Sequence, residues 1–256
     1  MAGQLKGRVA LVTGAGRGIG RAIALGLSRE GASLALVSRT RSELDGVANE
    51  INRADGCARA FTVDVAQEND VQHAVNAAVE QIGPIDILIN NAGHNVIGPL
   101  EGSDPAVWWR QIEVNVRGPY LFSRAVLGRM RERKWGRIVN ISSSAGLRGS
   151  KYNSAYCAAK HALVGMTRAL SFEVAGTGVT VNTFRPGLVE TALTKSTMSQ
   201  RSVLLGAPVE TLLRPGGLVL PEEVVPSILF LLSEGAALIN GEDLGVKRGD
   251  RETAVG

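Results

Sequence analysis

Tyr156 and Lys160 stand four residues apart in a stretch of helical period, 154–175, so their side chains share one helix face. A phenol beside an ammonium is a proton-transfer pair, because the cation favours the phenolate and draws the phenol pKa from about 10 towards neutrality. A displacement of about three units asks for ~4 kcal/mol, more than one solvent-exposed charge supplies, so the pair is expected in a partly desolvated site. Upstream, Ser142, Ser143 and Ser144 close an apolar run ending at Ile141. Each offers a hydroxyl to a carbonyl oxygen on which negative charge develops. The chemistry these residues suit is reversible protonation of an alkoxide. Tyr-x-x-x-Lys alone is common on helix surfaces; its position after a serine-ended strand makes it specific.

A second constellation lies near the start: Thr13-Gly14-Ala15-Gly16-Arg17-Gly18-Ile19-Gly20, directly after the apolar run 9–12 and before a helical stretch. Glycines let a backbone turn sharply and approach a pyrophosphate, and the helix that follows presents unpaired N–H groups to the anion. The glycines fall at 14, 16, 18 and 20, so G-x-G-x-x-G is not matched literally. Strand, glycine turn and helix together predict a dinucleotide site.

Elements must hold these two ends together. Strand candidates at 9–12, 33–38, 58–63, 85–90, 137–142, 180–184 and 238–246 alternate with helix candidates at 19–30, 42–53, 68–82, 105–133, 154–175 and 221–232. Most of the strand runs are continuously apolar, as in a parallel sheet covered on both faces. The alternation predicts an α/β fold of doubly wound type with right-handed crossovers, in one domain over 1–256. The stretch 191–217 breaks the rhythm and is expected to be an irregular substrate loop.

The composition is that of an ordinary soluble protein: 256 residues, 45% hydrophobic, 20% charged and net charge +4. The basic residues are scattered, and the five Phe, three Tyr and three Trp do not interleave with them, so no nucleic-acid partner is expected. No apolar run reaches the roughly 20 residues that span a bilayer. Two cysteines, Cys57 and Cys157, make no disulfide framework, and structure begins near Arg8, leaving no room for a signal peptide. A cytoplasmic location is expected. His73, His94 and His161 have no metal-ligand spacing, so no metal is expected.

Thr13-Gly14-x-x-x-Gly18-x-Gly20 resembles the nucleotide-binding signature of the short-chain dehydrogenase/reductase family. Four further blocks follow in that family's order: Asn90-Asn91-Ala92-Gly93, Asn115-x-x-Gly118, Ser143 with Tyr156-x-x-x-Lys160, and Pro186-Gly187 with Thr191. The resemblance covers nearly the whole chain and implies a seven-stranded Rossmann sheet, most often in homotetramers or homodimers. It selects Ser143 among the three serines, about thirteen residues before the tyrosine. It also makes Asn115, Ser143, Tyr156 and Lys160 a catalytic tetrad, with Asn115 supporting a water chain to Lys160. Gly16, Arg17, Ile19, Asp64, Val65, Asn91, Ala92, Gly93, Pro186, Gly187, Val189 and Thr191 then line the cofactor, together with Tyr156 and Lys160. Asn90 is expected mainly to stabilise the central sheet.

Ser38-Arg39 stands where NAD-using relatives end the second strand on an acid, and Arg17 lies in the glycine turn. Two guanidinium groups with no carboxylate placed against a 2′-phosphate imply NADP(H). The implied activity is reduction of a ketone or aldehyde to an alcohol by NADPH, run in reverse as an alcohol dehydrogenase. A 3-oxoacyl-[acyl-carrier-protein] reductase is the narrower alternative, with Arg129, Arg131, Arg133 and Lys134 as a docking patch; a non-catalytic dinucleotide-binding regulator is the alternative of another class. Arg185 is unusual before Pro186-Gly187, facing either an acidic substrate or an ion-pair partner. Leu244-Gly245-Val246 departs from the family's apolar-Asp-Gly-Gly ending, which leaves the last strand open.

Overall fold

A run such as Val-Ala-Leu-Val-Thr offers water no polar face, and the strand it forms, β1 (Val9–Thr13), is buried along its whole length. The computed structural model describes residues 3–212 and 218–246. Six more strands join β1: β2 (Ser33–Ser38), β3 (Cys57–Thr62), β4 (Ile87–Asn90), β5 (Gly136–Ile141), β6 (Val179–Pro186) and β7 (Asp243–Val246). They form one seven-stranded sheet in the order β3-β2-β1-β4-β5-β6-β7, every pairing parallel. The edge strands are the least buried: β3 alternates and β7 is half-exposed.

Alternate residues of β1 feed two cores. Ala10 and Val12 pack with α1 (Gly18–Arg29), α2 (Arg41–Arg53) and α9 (Val225–Leu232), through side chains such as Ile23, Leu44 and Leu231. Val9 and Leu11 face α3 (Glu68–Gln81) and α5 (Gly118–Glu132), through Val75, Phe122 and Met130. Phe122 and Met130 are fully enclosed, and each such side chain contributes about 1.5–3 kcal/mol through burial. The remaining helices are α4 (Pro105–Ile112), α6 (Ser154–Glu173), α7 (Ala192–Leu205) and α8 (Val209–Leu212). The order in which strands are added reverses between β1 and β4, and in such sheets the crevice outside the carboxyl ends of these strands is where ligands bind.

Three expectations need correction. The single helix expected over 105–133 is three pieces: α4, a π turn at Glu113–Arg117 and α5. Gly118 is needed at the junction because a Cβ there would press on Val65, 3.0 Å from its Cγ2 and 3.2 Å from its carbonyl oxygen. The irregular loop expected over 191–217 is mostly helix, α7 and α8, while 213–217 lie outside the described residues. The strand expected over 238–246 contracts to four residues. Ahead of β7, side chains take over part of the ladder: Val181 N donates to Asn240 Oδ1 (2.9 Å), and Asn182 Nδ2 donates to the Ile239 carbonyl (2.8 Å), beside a backbone bond from Gly241 N to the Val181 carbonyl.

Arg185 settles as an ion pair. Its Nε donates to Asp243 Oδ2 at 2.9 Å, tying β6 to β7. Gly245 is the residue that leaves room for its guanidinium, since a Cβ there would sit 2.5 Å from Nη2. The last strand therefore exists without the family's usual ending; residues 247–249 lie outside the described ones.

Candidate active site

The glycine turn after β1 is built on left-handed backbone at Gly14 (φ +65°) and Gly18 (φ +55°), which side-chain-bearing residues rarely adopt. Gly20 serves differently: its Cβ would collide with the Gly14 carbonyl and the Asn91 amide. Asn91 Nδ2 donates to the carbonyls of Thr13 (3.0 Å) and Gly14 (3.3 Å), while Thr13 Oγ1 accepts from the Asn91 and Ala92 N–H groups, both at 3.0 Å. The turn and the segment after β4 are thus one locked unit. At the start of α1, Arg17 makes no side-chain cap bond and no acid stands in the first turn. Uncapped N–H groups at a helix N-terminus suit an anion.

This turn opens on a cavity of about 2190 Å³ that runs past the C-terminal ends of the strands. Gly14, Gly16, Arg17, Gly18 and Ile19 line it, as do Ser38, Arg39, Asp64 and Val65. So do Asn91, Ala92 and Gly93, the residues Pro186, Gly187, Val189 and Thr191, and the chemical group Ser143, Tyr156 and Lys160. Two expected site residues are not on the wall. Gly20 lies behind the turn, and Asn115 is fully buried. The glycine cradle, the uncapped helix start and this elongated cavity together fit a dinucleotide with its pyrophosphate at α1.

One carboxylate stands where the sequence pattern places none. Glu43, in the first turn of α2, pairs with Arg17 at 3.3 Å and would touch a Cβ at Gly16. Its position one helical turn beyond Ser38-Arg39 is a legible signal, since the first turn of α2 must face the same crevice. Arg39 is exposed and has no ion pair among the described residues. Asp64 is gripped by Arg110 Nη2 at 2.6 and 2.8 Å. Its own desolvation would raise the carboxyl pKa, but the Ala66 N–H and Arg110 outweigh it and hold the group below its ordinary range.

At the chemical end, β5 delivers Ser143 and α6 delivers Tyr156 and Lys160. The Lys160 ammonium donates to the Ile141 carbonyl at 2.8 Å and lies 5.4 Å from the Tyr156 ring centroid. Ser143 shares a hydrogen bond with the Tyr156 phenol and accepts from the Ala145 N–H at 3.2 Å. Ser142 Oγ is buried and has no hydrogen-bond partner among the described residues.

The phenol pKa departs from the expected direction. Desolvation pushes Tyr156 up to about 12, and the hydrogen bond from Ser143 only partly offsets it. Burial also lowers Lys160 to about 8. Four-residue spacing alone presents the ammonium as a charge free to act on the phenol; in the fold it is desolvated and anchored to Ile141. Between about pH 8 and 10.5 the unfolded chain holds more protons on Lys160 than the folded chain, so stability from this residue rises with pH in that window. The Tyr156 contribution changes only above pH 10. Lys160→Met is therefore expected to flatten the rise in thermal midpoint between pH 8 and 10 by a few degrees relative to wild type. Parallel melting curves at several pH values check this, and an equal pH response in both proteins would refute it.

Asn115 sits in the π turn, with Nδ2 donating to the carbonyls of Gln111 (2.8 Å) and His94 (2.7 Å). Its bonds fix the wall segment at His94, and none among the described residues reaches Lys160. Asn90 bonds Asn140 (2.8 Å), as expected of a sheet-stabilising residue. Cys157 is buried, Trp109 is exposed and Trp108 Nε1 donates to Ser154 Oγ (3.1 Å). Arg129, Arg131, Arg133 and Lys134 lie where α5 runs into the start of β5, at the end of the strands opposite the cavity; Arg133 is tied to Asp86 there. They do not flank the site entrance. Among the described residues no group of three or more His, Cys, Asp or Glu is placed to hold a metal, and no helix is long and apolar enough to cross a membrane.

The family model described as short chain dehydrogenase matches residues 8–202. The chain is 37% identical over 257 residues to 2-(S)-hydroxypropyl-CoM dehydrogenase 3 of Xanthobacter autotrophicus, covering 97% of this chain and 98% of that one. Among solved structures, it superposes on a single-substitution variant of actinorhodin polyketide ketoreductase with NADPH at a TM-score of 0.90 and 36% identity, covering 96% of this chain and 97% of that one. A gluconate 5-dehydrogenase from Burkholderia cenocepacia in complex with NADP and tartrate gives a TM-score of 0.86 at 30% identity, covering 95% of each.

Proposed function

This chain belongs to the short chain dehydrogenase family and is an oxidoreductase of that family; from that premise we propose that it reduces a ketone or aldehyde carbonyl to an alcohol with NADPH, reversibly, in one domain that both binds the cofactor and does the chemistry. The observation that carries this reading is the convergence of Ser143, Tyr156 and Lys160 on the cavity that starts at the glycine turn. The α1 N-terminus would hold the pyrophosphate, Arg39 and Arg17 the 2′-phosphate, and Tyr156 and Lys160 the ribose beside the nicotinamide; the neighbours solved with NADP or NADPH support the choice. When bound, NADPH supplies the hydride.

The chain's own residues do the rest. Ser143 donates to the substrate oxygen, which stabilises the charge that develops there. The phenol of Tyr156, kept protonated by burial, delivers its proton to that oxygen. Lys160 positions the phenol from its anchor on Ile141 and relays the replacement proton. Asn115 positions the wall at His94. Two relationships extend this reading. Phe172 and Leu238 are exposed apolar side chains on segments joined by an Asn240–Ser171 hydrogen bond of 2.9 Å, which supports a homotetramer or homodimer. A chain with two unpaired cysteines suits the cytoplasm.

NADPH oxidation followed by absorbance over a panel of ketones, aldehydes and keto acids tests the reading. Turnover with NADPH supports it; saturable NADPH binding with no turnover on any carbonyl would favour a dinucleotide-binding regulator instead. Glu43 supplies a finer check. It competes with a 2′-phosphate for Arg17, so Glu43→Gln is expected to tighten NADPH binding about two- to fivefold, the scale of an exposed ion pair, with little effect on NADH. Fluorescence titration with both cofactors measures it, and equal tightening for the two would refute it.

A further inference from the structure

Three segments wall the cavity beyond Ser143 and Tyr156: 91–98 after β4, 142–153 after β5, and α7. None of the three contains an Asp or Glu. The carboxylates that do line the cavity lie elsewhere: Glu43 and Asp64 are paired with Arg17 and Arg110, Glu190 with Lys195, and Glu222 stands on the turn at Pro221–Val224. Arg201 of α7 faces the cavity half-buried, and its Nη2 donates to the neutral Ser150 Oγ at 2.7 Å. Among the described residues it has no ion pair. Arg148 and Lys151 add further positive charge to the same wall, the Lys151 Nζ resting 4.8 Å from the Tyr152 ring centroid.

A half-buried guanidinium whose partner is an uncharged hydroxyl lacks the anion that its fork of donors suits. A second observation points to a polar ligand in the same place. Asn95 and Asn153 line this wall, each is 8% exposed, and the side-chain oxygen of each has no hydrogen-bond partner among the described residues. Buried acceptors of this kind normally find a donor, so they suit a hydroxyl or N–H elsewhere on the same ligand, and the anion itself falls to Arg201. The wall is also well fixed: Asn95 Nδ2 donates to Thr197 Oγ1 (3.4 Å) and the Ile97 N–H donates to Gln200 Oε1 (3.2 Å), which seat α7 beside the pair.

We propose that the substrate carries a fixed anionic group, a carboxylate, sulfonate or phosphate, and that Arg201 is the specificity-determining residue that receives it. This rests on the carbonyl-reductase reading above and names the class of carbonyl compound. The anion sits on the wall formed by α7 and residues 150–151, and the carbonyl sits at Ser143 and Tyr156. Arg201 touches neither the reacting carbon nor the proton; it selects and orients.

The test uses the full chain with NADPH and a matched set: acetoacetate, methyl acetoacetate, 2-oxopropanesulfonate and hydroxyacetone phosphate, extended to keto acids of up to six carbons with their methyl esters. The expected result is a kcat/KM at least tenfold higher for one anionic series than for the matched neutral ketone, and which series it is identifies the anion. That ratio is expected to fall to threefold or less in Arg201→Gln and to lie between in Arg201→Lys, which keeps the charge but loses the fork. In wild type it is expected to shrink as ionic strength rises, a readout that does not depend on either variant folding. Esters reduced as fast as acids, or a preference that Arg201→Gln retains, would overturn the assignment of Arg201 while the carbonyl-reductase reading stands. Binding of NADPH without reduction of any compound, charged or neutral, would overturn that reading and this one with it.

Discussion

Tyr156→Phe is expected to lower kcat/KM for NADPH-dependent carbonyl reduction by about 10³-fold, within the range for loss of a positioned general acid. The substitution removes one oxygen and keeps the ring, so the packing of α6 should persist. What disappears is the acidic proton that burial holds in place at this end of the cavity up to about pH 12. Ser143 keeps its hydroxyl and its bond from the Ala145 N–H, so the substrate oxygen retains a donor but has no proton source. Steady-state kinetics on the best carbonyl of the panel, with NADPH binding followed by fluorescence as the folding control, provide the measurement. A variant that keeps a tenth of wild-type activity while binding NADPH would show that the proton comes from elsewhere.

Arg39→Asp is expected to change the ratio of NADPH to NADH dissociation constants by about 100-fold in favour of NADH. Losing a charge-assisted bidentate contact accounts for about 1.5–3 kcal/mol, and the new carboxylate adds repulsion against a 2′-phosphate. Arg39 should dominate over Arg17 because the two guanidinium groups are not equivalent. Arg17 is already engaged by Glu43, whereas Arg39 has no ion pair among the described residues. Titration of wild type, Arg39→Asp and Arg17→Ala with both cofactors ranks them; a larger effect at Arg17 would overturn this order.

Much of the fold is legible in the chain because the central strands carry no polar face. Continuous apolar runs at β1, β2 and β4 predict a doubly covered parallel sheet, and the glycine turn and the Tyr156/Lys160 pair predict where its two functional ends lie. The misses share a cause: they depend on what a side chain meets across space. The Lys160 ammonium looks available in sequence and is spent on a backbone carbonyl. Glu43 looks like a surface residue opening a helix and turns out to face Arg17. Helix α7 reads as a loop because its Ser/Thr-rich sequence buries only Met198 and shows no apolar stripe. Its caps are readable, however. Thr191 accepts from the Thr194 N–H at the start, and Gly206 ends it in left-handed backbone at φ +61°.

The attachment of α6 to the sheet has a consequence for how such an enzyme can be diversified. Lys160 is pinned to Ile141 and Thr167 to Asn140, by bonds of 2.8 Å each, so two successive residues of one central strand grip the helix at two heights. The span from the proton donor to the end of that strand is set by this double rivet, and Ala145 and Gly146 seat Ser143 beside it, while the stretch 149–152 makes no bond to Ser143, Tyr156 or Lys160 among the described residues. Insertions, deletions or grafted sequences in that stretch can therefore recast the substrate wall without retuning proton delivery. Selectivity and turnover become separate traits, open to change one at a time.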